Sequence, residues 1–377
     1  EMILLPGGDG LFVGLLDGSG DDPDSLGGDD PGVPFVNYQL YEALGADYAL
    51  TAQLAPDSSV RVIAYDVHGE TVAVEYTPVS RPEDPDFRMS VHRVADAITR
   101  LVTGTEGIAA TRMLWVRGRE LWVVDADGHG ARRVPTGGPA YSPTWHPSGD
   151  FFAYVEFPGS SKLLVQDLFS GSEREVFAGG AGVQDFAPDF SRDGETLAFA
   201  RAGSDGTDVY AYNFRDDCCL QRLTVGRFSD NLSPTFSPDG RQIAYVSTRP
   251  GLPQIYVMTA DGTGQELFAP FDFGVTGGSY APEWSDDGLN LAFHRDVAGS
   301  PQVFIMDVAG RSVKQLTSAG RNEDPTWAPD GRHLAFVSSR TGTRQIWIID
   351  LETGRARQVT RNGNARLPTW SARVEGR

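Results

Sequence analysis

The sequence predicts an all-β six-bladed propeller of four-stranded repeats, preceded by a small α/β domain. Three observations carry this expectation. A block of 43 to 48 residues recurs from about residue 112 onward. Each copy holds four short apolar runs separated by turn residues. The first and last copies are incomplete in complementary ways. Regular periods of this length with several strands each are a propeller signature.

The clearest element of the repeat is an aromatic residue followed by a short spacer and glycine. It reads PTWHPSGD at Trp145, PDFSRDGE at Phe190, PTFSPDGR at Phe236, PEWSDDGL at Trp284 and PTWAPDGR at Trp327, with a shortened PTWSAR at Trp370. The aromatic positions lie 45, 46, 48, 43 and 43 residues apart. Such residues are expected to wedge between neighbouring blades. The Asp-Gly that follows most of them supplies a turn corner, so Asp193, Asp239, Asp287 and Asp330 read as turn formers.

Four strands fit each period. The first leads into the aromatic, as in NLSPTF. The second alternates, as in TLAFARA, QIAYVST and HLAFVSS. The third follows a polar loop, as in QIYVMTA and QIWIIDL, and the fourth follows a turn, as in VKQLT. Runs of four to six residues match ordinary strand length. A four-stranded unit with two apolar faces cannot bury itself, whereas stacking such units radially buries both.

The ends set the number of blades. The first block has TRMLWV at 111–116, ELWVVD at 120–125 and ARRVP at 131–135, but no leading strand. The last, ARLPTW, has only a leading strand. Pairing the two completes six blades and leaves no open edge.

Before the repeats, FVNYQLYEA (35–43) reads as a helix stopped by Gly45, and 47–54, 60–67 and 71–79 read as strands. HGE joins the last two as a tight turn. Residues 86–102 show helical periodicity, with an apolar stripe of Phe87, Val91, Val94, Ala95, Ile98, Leu101 and Val102. Gly104 ends this helix and Gly107 marks the linker. The expected divisions are an acidic, Gly-rich segment at 1–34, the α/β domain at 35–106 and the propeller at 107–377.

Composition limits the function classes. The formal charge is −19, which disfavours nucleic acid and anionic membranes as partners. Only Lys162 and Lys314 are lysines; the other basic residues are arginines. No run of 18 apolar residues exists. The chain begins with Glu rather than Met, which fits a trimmed or truncated product such as one freed of a signal peptide. Cys218 and Cys219 are the only cysteines and are expected to be free thiols, a vicinal disulfide being the rarer alternative. The aspartates of 1–34 lack the ordered calcium-loop spacing, so calcium is only weakly supported and no cofactor is expected.

No nucleophile elbow, zinc helix or phosphate loop is present, and no catalytic residue is assigned. His92 reads as a packing or capping histidine and His68 as solvated. His146, His294 and His333 fall at different repeat positions, with His294 at a strand end where loops can meet a partner. A paired-carboxylate site across the channel stays open, but nothing in the sequence singles out a pair. The irregular rim is the better candidate for binding. On one set of loops sit Arg201, Arg249, Arg295 and Arg340, the last three expected at corresponding positions. On the neighbouring set sit Asp185, Asn231, Tyr280, Asn322, Glu323 and Arg366. Forked hydrogen bonds from such arginines suit a carboxylate-bearing partner; pairing with the chain's own acids is the competing use.

Repeats such as PTFSPDGRQIAYVSTRPGLPQIYVMTADGTGQELF and PTWAPDGRHLAFVSSRTGTRQIWIIDLETGRARQVT resemble the TolB family. YEALGADYALTAQL, FRMSVHRVADAITRLVTG and ATRMLWV extend the likeness over roughly 35–371, while 1–34 and CCLQRLT depart from the family pattern, as in a divergent member. The resemblance implies a non-enzymatic, periplasmic protein-binding scaffold of the Tol–Pal system, supporting outer-membrane integrity and cell division. It implies the peptidoglycan-associated lipoprotein as partner of the propeller and a TolA-like protein as partner of the N-terminal domain, with only peripheral association with the envelope. The alternatives are a secreted propeller binding a ligand, glycan or metal, or a non-catalytic relative of peptidase propellers.

Overall fold

The computed structural model describes residues 36–43, 45–54, 60–79, 83–84, 86–157, 160–180, 182–226, 229–269 and 277–374. The expected acidic segment at 1–34, with its aspartates, lies outside these residues. The chain divides into two compact units at Ala110/Thr111, the second running Thr111–Val374.

In the first unit, helix Tyr38–Ala43 is followed by Gly45 at φ +76°, a conformation that glycine reaches without a Cβ penalty. Three antiparallel strands follow in sequential order, Tyr48–Leu54, Val60–Asp66 and Thr71–Val79. Tyr41, Ala49, Ile63 and Tyr65 form their buried cluster with the helix. At the hairpin, Asp66 accepts the N–H of Gly69 at 2.9 Å, and exposed His68 contacts Asp47 at 3.1 Å.

The second helix, Phe87–Thr103, closes on Gly104 at φ +71°, whose N–H reaches Arg100. Its buried face departs from the expected stripe. Met89, Ser90 and Asp96 are buried while Val91 is exposed. The reason is a polar tether. Asp96 accepts the N–H groups of Ala109 and Ala110 at 2.7 and 2.8 Å. Gly107 is required there, since a Cβ would sit 2.2 Å from the Asp96 carboxylate.

Among the described residues, the second unit forms six antiparallel four-stranded sheets. Five are formed from consecutive strands and open with Ala140–Trp145, Gln184–Phe190, Asn231–Phe236, Ser279–Trp284 and Asn322–Trp327. The sixth pairs Ala365–Trp370 with Arg112–Arg117, followed by Glu120–Asp125 and Arg132–Val134. We call these six opening strands the lead strands.

Every lead strand carries a bulge at one place. Ser142, Ala187, Ser233, Ala281, Asp324 and Leu367 all take φ between +46° and +51°. The pairing register shifts there in each sheet. A proline follows in all six copies: Pro143, Pro188, Pro234, Pro282, Pro325 and Pro368. Proline cannot donate to a ladder, so within strands it is confined to edges and bulges.

The bulge aims the next side chain along the series of lead strands. Asp189 accepts the N–H of Phe236 at 2.8 Å. Glu283 accepts that of Trp327 at 2.9 Å, and Thr326 Oγ1 accepts that of Trp370 at 3.2 Å. Trp145, Phe190, Phe236, Trp284 and Trp327 each pack in a cluster drawn from two sheets. Trp145, for instance, packs with Leu114, Leu121 and Val123 of one sheet and Phe152 and Tyr154 of its own. Burying such a ring contributes about 2–3 kcal/mol. The serines and aspartates after the aromatics do form the turns: Asp193 takes Ser191 Oγ and the N–H of Glu195, at 2.6 and 2.9 Å.

Candidate partner-binding site

At the ends of the sheets where the lead strands begin, the structure joins most of the expected rim residues in pairs. Arg201 donates to buried Asp185 through a fork of 2.6 and 3.0 Å. Arg249 reaches Asn231 at 3.3 Å and Arg340 reaches Asn322 at 3.3 Å. Arg295 donates to Ser279 Oγ at 2.9 Å.

The expected correspondence of Arg249, Arg295 and Arg340 is corrected. Arg201 and Arg295 are the equivalent pair, lying in the strand opposite Asp185 and Ser279. Arg249 and Arg340 lie two residues beyond Ser247 and Ser338, which hold those places opposite Asn231 and Asn322. Their Nε atoms donate to these serines at 2.9 Å. The four guanidiniums nevertheless share one environment. They lie over Phe199 and Tyr210, Tyr245 and Tyr256, Phe293 and Phe304, and Phe336 and Trp347, at 4.4 to 5.8 Å. Burying a guanidinium against an aromatic face with a satisfied fork is the arrangement Arg suits and Lys does not.

Exposure sorts the ten candidates. Asp185, Asn231, Arg295 and Asn322 are buried. Arg201, Arg340, Tyr280 and Glu323 are half-buried, while Arg249 and Arg366 are exposed. Glu323 sits between Arg321 and Arg344, at 3.1 and 3.4 Å. Among the described residues, the Arg366 guanidinium has no ion pair.

Beside this rim, Tyr280 stacks on His294 with ring centroids 5.3 Å apart. His294 lies under the ring, with a side chain 13% exposed, rather than open to a partner. Its Nδ1 accepts the Asp324 N–H at 3.2 Å. Burial pushes the His294 pKa down and the Asp324 pKa up, partly offset by the attraction between the two.

At the opposite ends of the lead strands lies a cavity of about 140 Å³, lined by Thr144, Asp189, Thr235, Glu283 and Thr369 among others. Arg192 and Asp286 form a forked pair at its wall, at 2.9 and 2.7 Å. Asp189 and Glu283 are half-buried at this cavity. Desolvation therefore dominates. It raises Asp189 to about 7 against the opposing pull of the Phe236 N–H. It raises Glu283 to about 8, with the Asp189 charge adding to the rise. Sequence reasoning missed these two acids. The signal was present: PDF and PEW interrupt a series otherwise written PTW or PTF.

The expected free thiols are also corrected. Cys218 and Cys219 are bonded to each other. The pair opens strand Cys218–Arg222 directly after the turn at 214–217, with Asp217 and Cys219 at φ +53° and +64°.

Against known proteins, the sequence profile described as the TolB beta propeller domain matches residues 99–269 and 273–376. The Tol-Pal system protein TolB of Bordetella pertussis is 30% identical over 184 residues, which cover 48% of this chain and 42% of that protein. The aligned stretch thus spans less than half of that relative. Among solved structures, TolB from Acinetobacter baumannii superposes with a TM-score of 0.76 at 23% identity, covering 90% of this chain and 86% of that one. Kuenenia stuttgartiensis hydrazine synthase superposes with a TM-score of 0.60 at 13% identity, over 74% of this chain and 49% of that one. Both likenesses speak to the fold, which by itself hosts unrelated functions.

Proposed function

The chain belongs to the TolB beta propeller domain family, and on that premise we propose that it is a periplasmic protein-binding scaffold of the Tol–Pal type, not an enzyme, supporting outer-membrane integrity and cell division. The observation that carries the reading is the family match across the whole six-sheet unit. The rim fits it. Its buried members are spent on holding guanidiniums in place, and its outer members offer charge and one aromatic ring to a partner.

The proposal includes a six-bladed ring. Its support is the pairing of Ala365–Trp370 with Arg112–Arg117 and the packing of that same lead strand against Ala140–Trp145. Closure of this kind removes sheet edges that would otherwise recruit other strands. A rigid ring then presents its rim as one surface. The partner assigned to the ring is a peptidoglycan-associated lipoprotein, contacted through Arg249, Tyr280, Glu323, Arg340 and Arg366. A TolA-like protein is assigned to the domain built from residues 35–106.

Capture from an envelope extract tests this reading. Recovery of a lipoprotein with a peptidoglycan-binding domain is expected. Its absence, where a TolB–lipoprotein control pair is recovered, overturns the assignment.

A further inference from the structure

The sixth sheet departs from the guanidinium pattern of the four sheets that open with Gln184–Phe190, Asn231–Phe236, Ser279–Trp284 and Asn322–Trp327. Arg117 stands opposite Ala365 in the pairing register. This is the position that Arg201 holds opposite Asp185 and Arg295 holds opposite Ser279. Those two arginines find their acceptor on the lead strand. Ala365 offers none. Arg117 lies over Trp122 at 5.3 Å, and among the described residues its guanidinium has neither an ion pair nor a hydrogen bond.

Arg117 lines a cavity of about 330 Å³ within this unit. Trp115, Trp122 and Val124 supply an apolar wall, with the two indoles 6.1 Å apart. Arg361 brings a second guanidinium, exposed and likewise without an ion pair among the described residues. The cavity's one carboxylate is that of Asp127, which accepts the His129 N–H at 2.8 Å. Two unspent guanidiniums at one cavity with a tryptophan wall run against the composition of a chain with 51 acidic residues and a charge of −19.

The volume falls in the range of small-molecule pockets, which combine an apolar lining with a few convergent polar groups. A guanidinium in such a place recognises a planar carboxylate through charge-assisted, forked hydrogen bonds. We propose that this cavity binds a small anion in which a carboxylate is carried beside an apolar ring face. That chemistry is shared by an amino-acid derivative with an aromatic side chain and by a carboxylated sugar.

The test is a calorimetric titration of the full chain with N-acetyl-phenylalanine, with its C-terminal amide and with glucuronate. Tryptophan emission is read in parallel as a report from Trp115 and Trp122. At least one of the two acids is expected to saturate the protein below about 1 mM, as a ligand of this size can. If N-acetyl-phenylalanine binds, its amide is expected to bind about tenfold more weakly. Arg117→Met and Arg361→Gln are each expected to weaken the acid by about tenfold. Arg361 is exposed, so its variant keeps the fold and keeps the test decisive if Arg117→Met is unstable. Which acid binds identifies the source of the carboxylate. Equal binding of acid and amide, affinities unchanged in both variants, or saturation by neither acid overturns the proposal.

Discussion

The indole N–H of Trp145 donates to the carbonyl oxygen of Thr369 at 3.2 Å across 224 positions of sequence. The bond joins the earliest lead strand to the last one. It is accompanied by Trp370, whose own indole N–H reaches Thr111 Oγ1 at 2.7 Å. Deleting residues 365–370 is therefore expected to lower the thermal midpoint by roughly 10 °C or more, given about 2–4 °C per kcal/mol for a unit of this size. Trp145→Phe, which keeps an aromatic ring but removes the hydrogen bond and part of the buried indole, is expected to cost about 2–3 kcal/mol. Differential scanning calorimetry decides both, and an unchanged midpoint in the deletion contradicts the pairing.

Asp189 and Glu283 make stability depend on pH in a stated direction. Their folded pKa values, about 7 and about 8, stand above the ordinary 3.8 and 4.5. The folded state therefore binds more protons than the unfolded one between those limits. Their contribution is fully present below about pH 4 and is lost as pH rises through about 7 to 8. Asp189→Asn and Glu283→Gln are expected to raise the midpoint at pH 8.5 by about 2–4 °C each and to raise it clearly less at pH 5. Melting curves at the two pH values check this. A loss of stability at both would give the carboxylates a purely structural role as acceptors.

The rim arginines are expected to differ in cost according to what they leave behind. Removing Arg201 strands the fully buried Asp185 carboxylate, and Arg201→Met should cost about 3–5 kcal/mol. Arg249 is exposed and bonds neutral groups, so Arg249→Met should cost about 1 kcal/mol. Urea unfolding of the two variants gives the comparison. Equal costs would contradict the assignment of Asp185 to an unshared ion pair.

Asp96 is expected to anchor the end of the first unit. Asp96→Ala frees two N–H groups and should cost about 1–3 kcal/mol for each. Hydrogen exchange at Ala109 and Ala110 should accelerate in this variant, and less so in Asp96→Asn, which retains one acceptor oxygen.

The architecture was largely written in the period of the sequence. Proline, aromatic and Asp-Gly recur together because each is needed at one place: proline at the bulge, the ring between sheets, the turn beyond. The incomplete first and last repeats indicated the pairing of Ala365–Trp370 with Arg112–Arg117. What the period did not reveal was where the pattern carries charge. Arg249 and Arg295 look equivalent by local sequence, yet they reach equivalent aromatic pairs from backbone positions two residues apart. Asp189 and Glu283 hid in a place that threonine holds elsewhere, and their environment depends on strands up to 47 residues away. Val91 was misplaced because helical periodicity counts apolar residues and does not register a buried Asp96 tied to a later loop. The Cys218–Cys219 bond sits at a strand start with local positive φ, which residue spacing does not encode.

The central claim is that the rim of the six-sheet unit binds a protein partner. Isothermal titration of the full chain with the soluble domain of a peptidoglycan-associated lipoprotein tests it most directly. Saturable one-to-one binding is expected, weakened about tenfold or more when Arg366→Glu and Glu323→Arg are combined. Absence of binding under conditions where a TolB control binds, or binding indifferent to the rim charges, would contradict the account.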